Sequence, residues 1–370
     1  MSNDDRQPPG ANLPIGSPLP GANARILLVR LSAIGDIVFA SPLVAAFRRA
    51  WPGAHIAWLV QPECRPLVEH HPDLNEVIEW PASTWCTLWS ARKFRELARE
   101  IVGLRTLLLK RRFDLAVDLQ GLLKSGLLTR LTGANHRIGL GSREGSQWLM
   151  TQTIPRGGDV ERIGSEYLYL AETLGLPVGD FAMAIHPGPA DTRFADELIE
   201  LEGLGNGYAV ICPFTTRPQK HWFEACWAAL AGRIQGELGL TVVMLGGPAD
   251  RVAAARIRAS AHAGDALIDQ VGHTSLLQAA AMIKRSDLVV AVDTGLGHMG
   301  IAFARPSLLL FGSTCPYRDT TRSNARVLYH PMPCSPCKRK PTCGSRFDCM
   351  RAIDVNEVFA AARSVIEKAP

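Results

Sequence analysis

The chain has 370 residues, of which 47% are apolar and 20% charged. That is ordinary globular composition with more material than one compact core usually takes, so two domains are expected. A net charge of +5 is too mild to imply a nucleic-acid partner, and no apolar run approaches the roughly 18 residues that a membrane helix needs.

Residues 1–23 hold five prolines and three glycines, carry Asp4 and Asp5, and lack the apolar segment of a secretory signal. They read as a disordered leader on a cytoplasmic protein. From residue 24 onward, short β-rich runs alternate with amphipathic stretches. The first strand is expected at 25–31 (RILLVRL), followed by a helix over 41–50 and a second strand at 56–60. Between them lies Leu31-Ser32-Ala33-Ile34-Gly35-Asp36. Gly35 permits a tight turn, and Asp36 falls at the start of the next helix. There it either favours the helix dipole or serves as a general base. Neither the G-x-G-x-x-G dinucleotide fingerprint nor a Walker lysine loop follows this strand, which weighs against a dehydrogenase or an NTPase.

Residues 92–112 carry eight basic side chains (Arg92, Lys93, Arg95, Arg99, Arg105, Lys110, Arg111 and Arg112) against Glu96 and Glu100. Phe94, Leu97, Ile101, Leu104, Leu107 and Leu108 are interleaved at helical spacing. Two readings stand side by side: a solvated surface helix, or a surface that meets anionic lipid or an anionic acceptor. A strand at 115–119 then runs into Gln120-Gly121-Leu122-Leu123-Lys124-Ser125, a glycine turn and polar helix start suited to an anionic or hydroxyl-rich group.

The alternation weakens over 184–207, where prolines, glycines and acidic residues gather, and a hinge is expected there. It would separate a first domain at 24–190 from a second at 205–370. In the second half, strands are expected at 209–212, 241–245, 288–292 and 307–311, with helices over 222–238, 249–262 and 275–283. Strand–helix alternation of this kind implies an α/β fold of parallel sheets covered on both faces. Such sheets bind ligands beyond the carboxyl ends of their strands.

Two loops of the second half follow strands. Thr215-Thr216-Arg217-Pro218-Gln219-Lys220 reads as a diphosphate clamp or as a polar turn with a capping threonine. Asp293-Thr294-Gly295-Leu296-Gly297-His298 offers a carboxylate for sugar hydroxyls, glycines for close backbone approach, and a threonine with amides for phosphate. Nine cysteines in a cytoplasmic chain argue against a disulfide framework. Four of them, Cys334, Cys337, Cys343 and Cys349, cluster in a basic loop as a candidate structural metal site. On the residues alone, a nucleotide-binding or redox module and a metal-regulated protein remain open beside a transferase.

The segments RLSAIGDIVFASP (30–42), DLQGLLKS (118–125), TTRPQKHW (215–222), LGGPADR (245–251) and DTGLGHMGIAFARP (293–306) together resemble glycosyltransferase family 9. These are the ADP-heptose:lipopolysaccharide heptosyltransferases, and the segments span nearly the whole folded chain in the family's order. The resemblance implies a GT-B fold, two Rossmann-like doubly wound domains facing across a cleft. The first would take the acceptor and the second the ADP-sugar. It implies inverting transfer without a metal or other cofactor, at the inner-membrane surface, from ADP-heptose to an anionic glycolipid. Asp36 would deprotonate the acceptor hydroxyl, and Lys220 would stabilise the departing diphosphate. Thr215, Thr216, Asp250, Asp293, Thr294, Gly295 and His298 would hold the donor, and Ser32, Gln120 and Lys124 the acceptor. The SAIGD and QGLLKS loops lean towards heptosyltransferase I.

Overall fold

The computed structural model describes residues 23–261, 267–314, 316–337 and 340–369. Apart from Asn23, the expected leader lies outside them. The chain divides into two compact units. One runs to Asp159 and takes in Gly164–Met183; the other consists of Val160–Ile163 and everything from Ala184 on.

The first unit is built on six parallel strands: β1 (Arg25–Val29), β2 (His55–Val60), β3 (Glu76–Glu79), β4 (Leu115–Asp118), β5 (His136–Leu140) and β6 (Gln152–Ile154). The second has β7 (Tyr208–Cys212), β8 (Thr241–Met244), β9 (Leu267–Asp269), β10 (Leu288–Val292), β11 (Ser307–Phe311) and β12 (Ala325–Tyr329), again all parallel. The first sheet is ordered β3-β2-β1-β4-β5-β6 and the second β12-β11-β10-β7-β8-β9. Read from the opposite edge, the second order is the first, although no sequence repeat links the halves. In each sheet the first strand is central and the order reverses beside it, between β1 and β4 and between β7 and β10. A crevice opens at such a reversal, at the carboxyl ends of the strands.

The central strands are covered on both faces, which is why they read as near-continuous apolar runs. Leu27, Val29, Ala57, Leu59 and Leu128 fill the core of the first unit. Beside them the buried Trp58 donates its indole N–H to the Arg30 carbonyl at 3.0 Å. In the second unit Ile211, Val290, Leu308 and Met350 pack with Trp222 and Trp227, whose rings meet edge-on at 5.1 Å.

The helix expected over 41–50 forms as Pro42–Ala50, and a further helix, Ile34–Ala40, precedes it, with Ser41 between them turning its hydroxyl back to the Val38 carbonyl. The stretch 184–207, where a hinge is expected, holds the helix Pro189–Leu201. Its proline stands at the start, where a missing N–H costs nothing, and Asp191 accepts from the Gly188 N–H at 3.0 Å. The residues that looked like loop composition are its capping residues. Among the described residues no helix is long and apolar enough to cross a membrane.

Candidate active site

All four loops singled out in the sequence emerge at the two reversals. In the first unit the loop after β1 leads into the helix Ile34–Ala40, with Asp36 in its first turn. The Asp36 carboxylate ion-pairs with the Arg30 guanidinium and lies 3.4 Å from the Ala33 N–H. Its side chain stays 41% exposed while that of Arg30 is 7% exposed, so a buried cation holds an accessible anion. Arg30 also donates to the Leu119 carbonyl at 3.1 Å, which ties the end of β1 to the end of β4. Arg30 was not singled out in the sequence, since an arginine at the end of a strand carries no local signal of its partner.

With Asp36 as the general base expected from the sequence, Arg30→Met should lower turnover on the order of 10²-fold by letting Asp36 wander from its orientation. Arg30→Lys should recover part of the loss. Water can replace the missing partner at an exposed carboxylate, so the melting temperature should change little. A rate loss matched by unfolding would instead make Arg30 a packing residue.

The loop after β4 is shaped by Asp118, a fully buried carboxylate. Its Oδ1 accepts from the N–H groups of Gln120 and Gly121 at 2.9 and 3.0 Å, and its Oδ2 from the Ser125 hydroxyl at 3.0 Å. Burial raises its pKa, and these bonds pull against that rise. Gln120, expected to meet the acceptor, is 6% exposed, and its carboxamide oxygen accepts from the Leu31 N–H at 3.0 Å, so that oxygen braces the neighbouring loop. Lys124 remains exposed, its ammonium 5.9 Å from the centre of the Trp80 ring, and Ser32 is half-buried at the end of the β1 loop.

Gly121 has φ +67°, and a Cβ there would sit 2.5 Å from the Leu140 carbonyl oxygen and 2.8 Å from that of Gly141. Both obstacles are backbone and cannot swing aside. Gly121→Ala should therefore cost roughly 3 kcal/mol or more in urea unfolding, strain and collision acting together.

In the second unit the loops after β7 and β10 form one cluster. The Lys220 ammonium lies 2.6 Å from Asp293 Oδ2, which also accepts from the Thr314 hydroxyl at 2.6 Å. Asp293 Oδ1 is 3.4 Å from His298 Nε2, and His298 Nδ1 is 2.8 Å from the Tyr317 hydroxyl. Burial alone would push the Asp293 carboxyl up. The His298 hydrogen bond and charge, and then Lys220, outweigh it and hold the carboxyl well below the ordinary range. Thr314 and Tyr317, in the loop after β11, are members of this cluster that sequence reasoning missed. They join Asp293 and His298 only through the fold.

Thr294 precedes the helix Gly295–Ala302, and its side chain makes no cap hydrogen bond. That side chain leaves the first N–H groups of the helix uncapped. Gly297 and Gly300 let the helix lie on the sheet: a Cβ at Gly297 would come within 2.8 Å of the Ala291 Cβ, and one at Gly300 within 2.6 Å of the Ser307 hydroxyl. Thr215 and Thr216 stand in the loop after β7, where the Thr215 carbonyl meets His221 Nε2 at 2.8 Å and Thr216 is exposed. Asp250 accepts from the Gly247 N–H at 2.9 Å, so one of its carboxylate oxygens caps its own turn.

Among the described residues, Cys334, Cys337, Cys343 and Cys349 form no disulfide, and no three His, Cys, Asp or Glu side chains converge as they would around an ion. Cys349 is drawn into the apolar core of the second unit, while the other three stay half-buried in the loop.

Each unit thus presents polar loops beyond the carboxyl ends of its strands, where α/β proteins bind their ligands: Asp36 with Arg30 in the first, and Lys220, Asp293 and His298 in the second. The comparisons with known proteins make that specific. Residues 101–346 match the family model of glycosyltransferase family 9 (heptosyltransferase). Lipopolysaccharide heptosyltransferase 1 of Pseudomonas aeruginosa is 31% identical over 86% of this chain and 87% of its own length. A family 9 glycosyltransferase from Veillonella parvula has the same fold at TM-score 0.75, with 21% identity over 93% of this chain and 97% of its own. The Escherichia coli heptosyltransferase WaaC, solved with ADP-2-deoxy-2-fluoro heptose, matches at TM-score 0.68 and 25% identity, covering 90% of this chain and 97% of that one. The chain belongs to glycosyltransferase family 9, the heptosyltransferases. It is a glycosyl-transfer enzyme, and the reading as a non-catalytic or redox nucleotide-binding module falls away.

Proposed function

We propose that this enzyme transfers heptose from ADP-heptose to the Kdo/heptose inner core of lipopolysaccharide, with inversion and without a metal. The relationship to lipopolysaccharide heptosyltransferase 1 supports the first heptose on Kdo as the product. The observation that carries the reading is the cluster of Lys220, Asp293, Thr294 and His298 at the reversal of the second sheet, next to an uncapped helix start. One cation and a row of amides suit a diphosphate, and the carboxylate suits sugar hydroxyls.

In a GT-B arrangement the acceptor hydroxyl attacks the anomeric carbon of heptose while the bond from that carbon to the ADP oxygen breaks. The hydroxyl proton passes to Asp36, and the bonding electrons leave with ADP. Lys220 and the helix amides meet the charge that builds on the diphosphate, which places the largest electrostatic stabilisation where charge develops. Asp36 ends protonated and returns its proton to water. Lys124 and Ser32 serve the anionic acceptor. Such an acceptor places the reaction at the cytoplasmic face of the inner membrane.

The test is ADP release from ADP-heptose with Kdo₂-lipid A, with no metal added and a chelator present. Release that needs the acceptor and ignores the chelator is expected. Abolition by the chelator would remove the metal-free mechanism. Donor binding without release would move the acceptor to a later core sugar.

A further inference from the structure

The helix Phe94–Arg111 carries two apolar stripes, and the fold uses one of them. Leu97, Ile101, Leu104 and Leu108 turn inward, Leu97 mostly and Leu108 fully buried. The second stripe, Phe94, Ala98, Val102 and Leu109, follows the same spacing on an adjoining face and stays outside. Phe94 is 53% exposed and Val102 60%. Just before the helix, Trp89 is 65% exposed and meets Phe94 edge-on at 5.5 Å, extending the stripe by an aromatic pair.

The charges are sorted around that stripe. Arg95 and Arg99 each follow a stripe residue, Arg105 lies between Val102 and Leu109, and Lys110 follows Leu109. None of the four has an ion-pair partner among the described residues. Glu96 and Glu100 fall on the other flank, with Leu107. At the far end of the helix an open recess of about 850 Å³ is lined by Arg25, Thr106, Leu109, Lys110, Arg111 and Arg112. Arg111 is engaged with Glu76 at 2.7 Å, and the rest of the lining is basic or neutral.

We propose that this outer face of the helix is where the protein lies on an anionic phospholipid bilayer. A helix of this length presents about 27 Å of surface. Aromatic and aliphatic side chains enter the headgroup region while arginine and lysine meet lipid phosphates. Charge complementarity selects the occupant, because four unpaired cations beside an apolar stripe suit a negatively charged apolar boundary. In a parallel α/β unit a connecting helix runs back from the carboxyl ends of the strands, so Trp89 and Phe94 lie toward the edge that carries Asp36 and Lys124. The proposal extends the lipid-linked acceptor reading above but is tested without donor or acceptor.

The experiment is sedimentation of the whole protein with vesicles of phosphatidylcholine alone or with a third phosphatidylglycerol. Binding to the anionic vesicles is expected to be at least roughly tenfold tighter and to weaken as salt rises. Arg95→Glu with Arg99→Glu should abolish that preference. Phe94→Ser with Val102→Ser should weaken binding to both vesicles. Leu107→Ser, on the acidic flank, should bind like the unaltered protein. Equal binding to both vesicle types, or unaltered binding by the charge-reversed protein, would overturn the proposal, as would sensitivity to Leu107→Ser alone. ADP release with a deacylated, water-soluble acceptor should be the same in all these variants. Its absence would count against the transferase reading and leave vesicle binding untouched.

Discussion

Asp36→Asn should lower kcat roughly 10²–10⁴-fold with donor affinity unchanged, the range expected when a general base is lost. The substitution keeps shape and an oxygen that can still face the Ala33 N–H, but it removes the lone pair that takes the proton. It also leaves the buried Arg30 without its anion, so some loss of stability should accompany the rate loss, read as a lower melting temperature. The two effects separate by assay at a temperature where the variant is fully folded. Donor affinity measured by titration calorimetry should stay put, because Asp36 belongs to the other unit from Lys220 and Asp293. Normal turnover in a folded variant would take Asp36 out of the chemistry and leave it as a helix-start residue.

The second large effect concerns Lys220, which has two duties in one place. Its ammonium offsets the Asp293 carboxylate, and both side chains are mostly buried, 16% and 12% exposed. Lys220→Ala strands that carboxylate and should cost about 3 kcal/mol of stability, the lower end for breaking a buried pair because some water reaches it. It should also weaken ADP-sugar binding roughly 10- to 100-fold, the value of one charge-assisted hydrogen bond. Lys220→Ala with Asp293→Ala resolves the duties. The double variant should regain much of the stability, since no charge is left unpaired, and none of the donor affinity. Recovery of both together would mean that Lys220 acts only through Asp293.

Legibility followed burial. β1, β2, β4, β7, β8, β10 and β11 lie inside their sheets and read as apolar runs. β3, β6, β9 and β12 are the edges. Glu76–Glu79 begins and ends on a charge, Ala325–Tyr329 carries Arg326 inside it, and Gln152–Ile154 and Leu267–Asp269 span three residues each. β5 is interior, but it opens on His136 and Arg137 and contains Gly139, so its composition hides it. At the site, the polar residues in loops that directly follow an apolar strand were visible: Asp36, Lys220, Asp293 and His298. Arg30, Asp118, Thr314 and Tyr317 were not, because what they do depends on partners elsewhere in the chain. Thr314 reaches Asp293 across 21 residues, and Arg30 reaches Leu119 across 89. Gln120 and Asp250 show the converse. Their positions were readable, but not that each gives an oxygen to a nearby backbone N–H.

The shared strand order bears on how the protein is made. In each unit the first strand synthesised is a central one, and one of its two neighbours comes from much later in the chain. Arg30 waits for Leu119, 89 residues on, and the Tyr208 N–H waits for the Asp287 carboxylate, 79 residues on. At ~5–20 residues per second a ribosome takes on the order of ten seconds to deliver each partner. Until then the apolar strand Arg25–Val29, and later Tyr208–Cys212, has one edge open to whatever it meets. The same connectivity that creates a crevice at each reversal thus gives the nascent chain two intervals of exposed strand edge, when a chaperone that masks apolar segments would matter most.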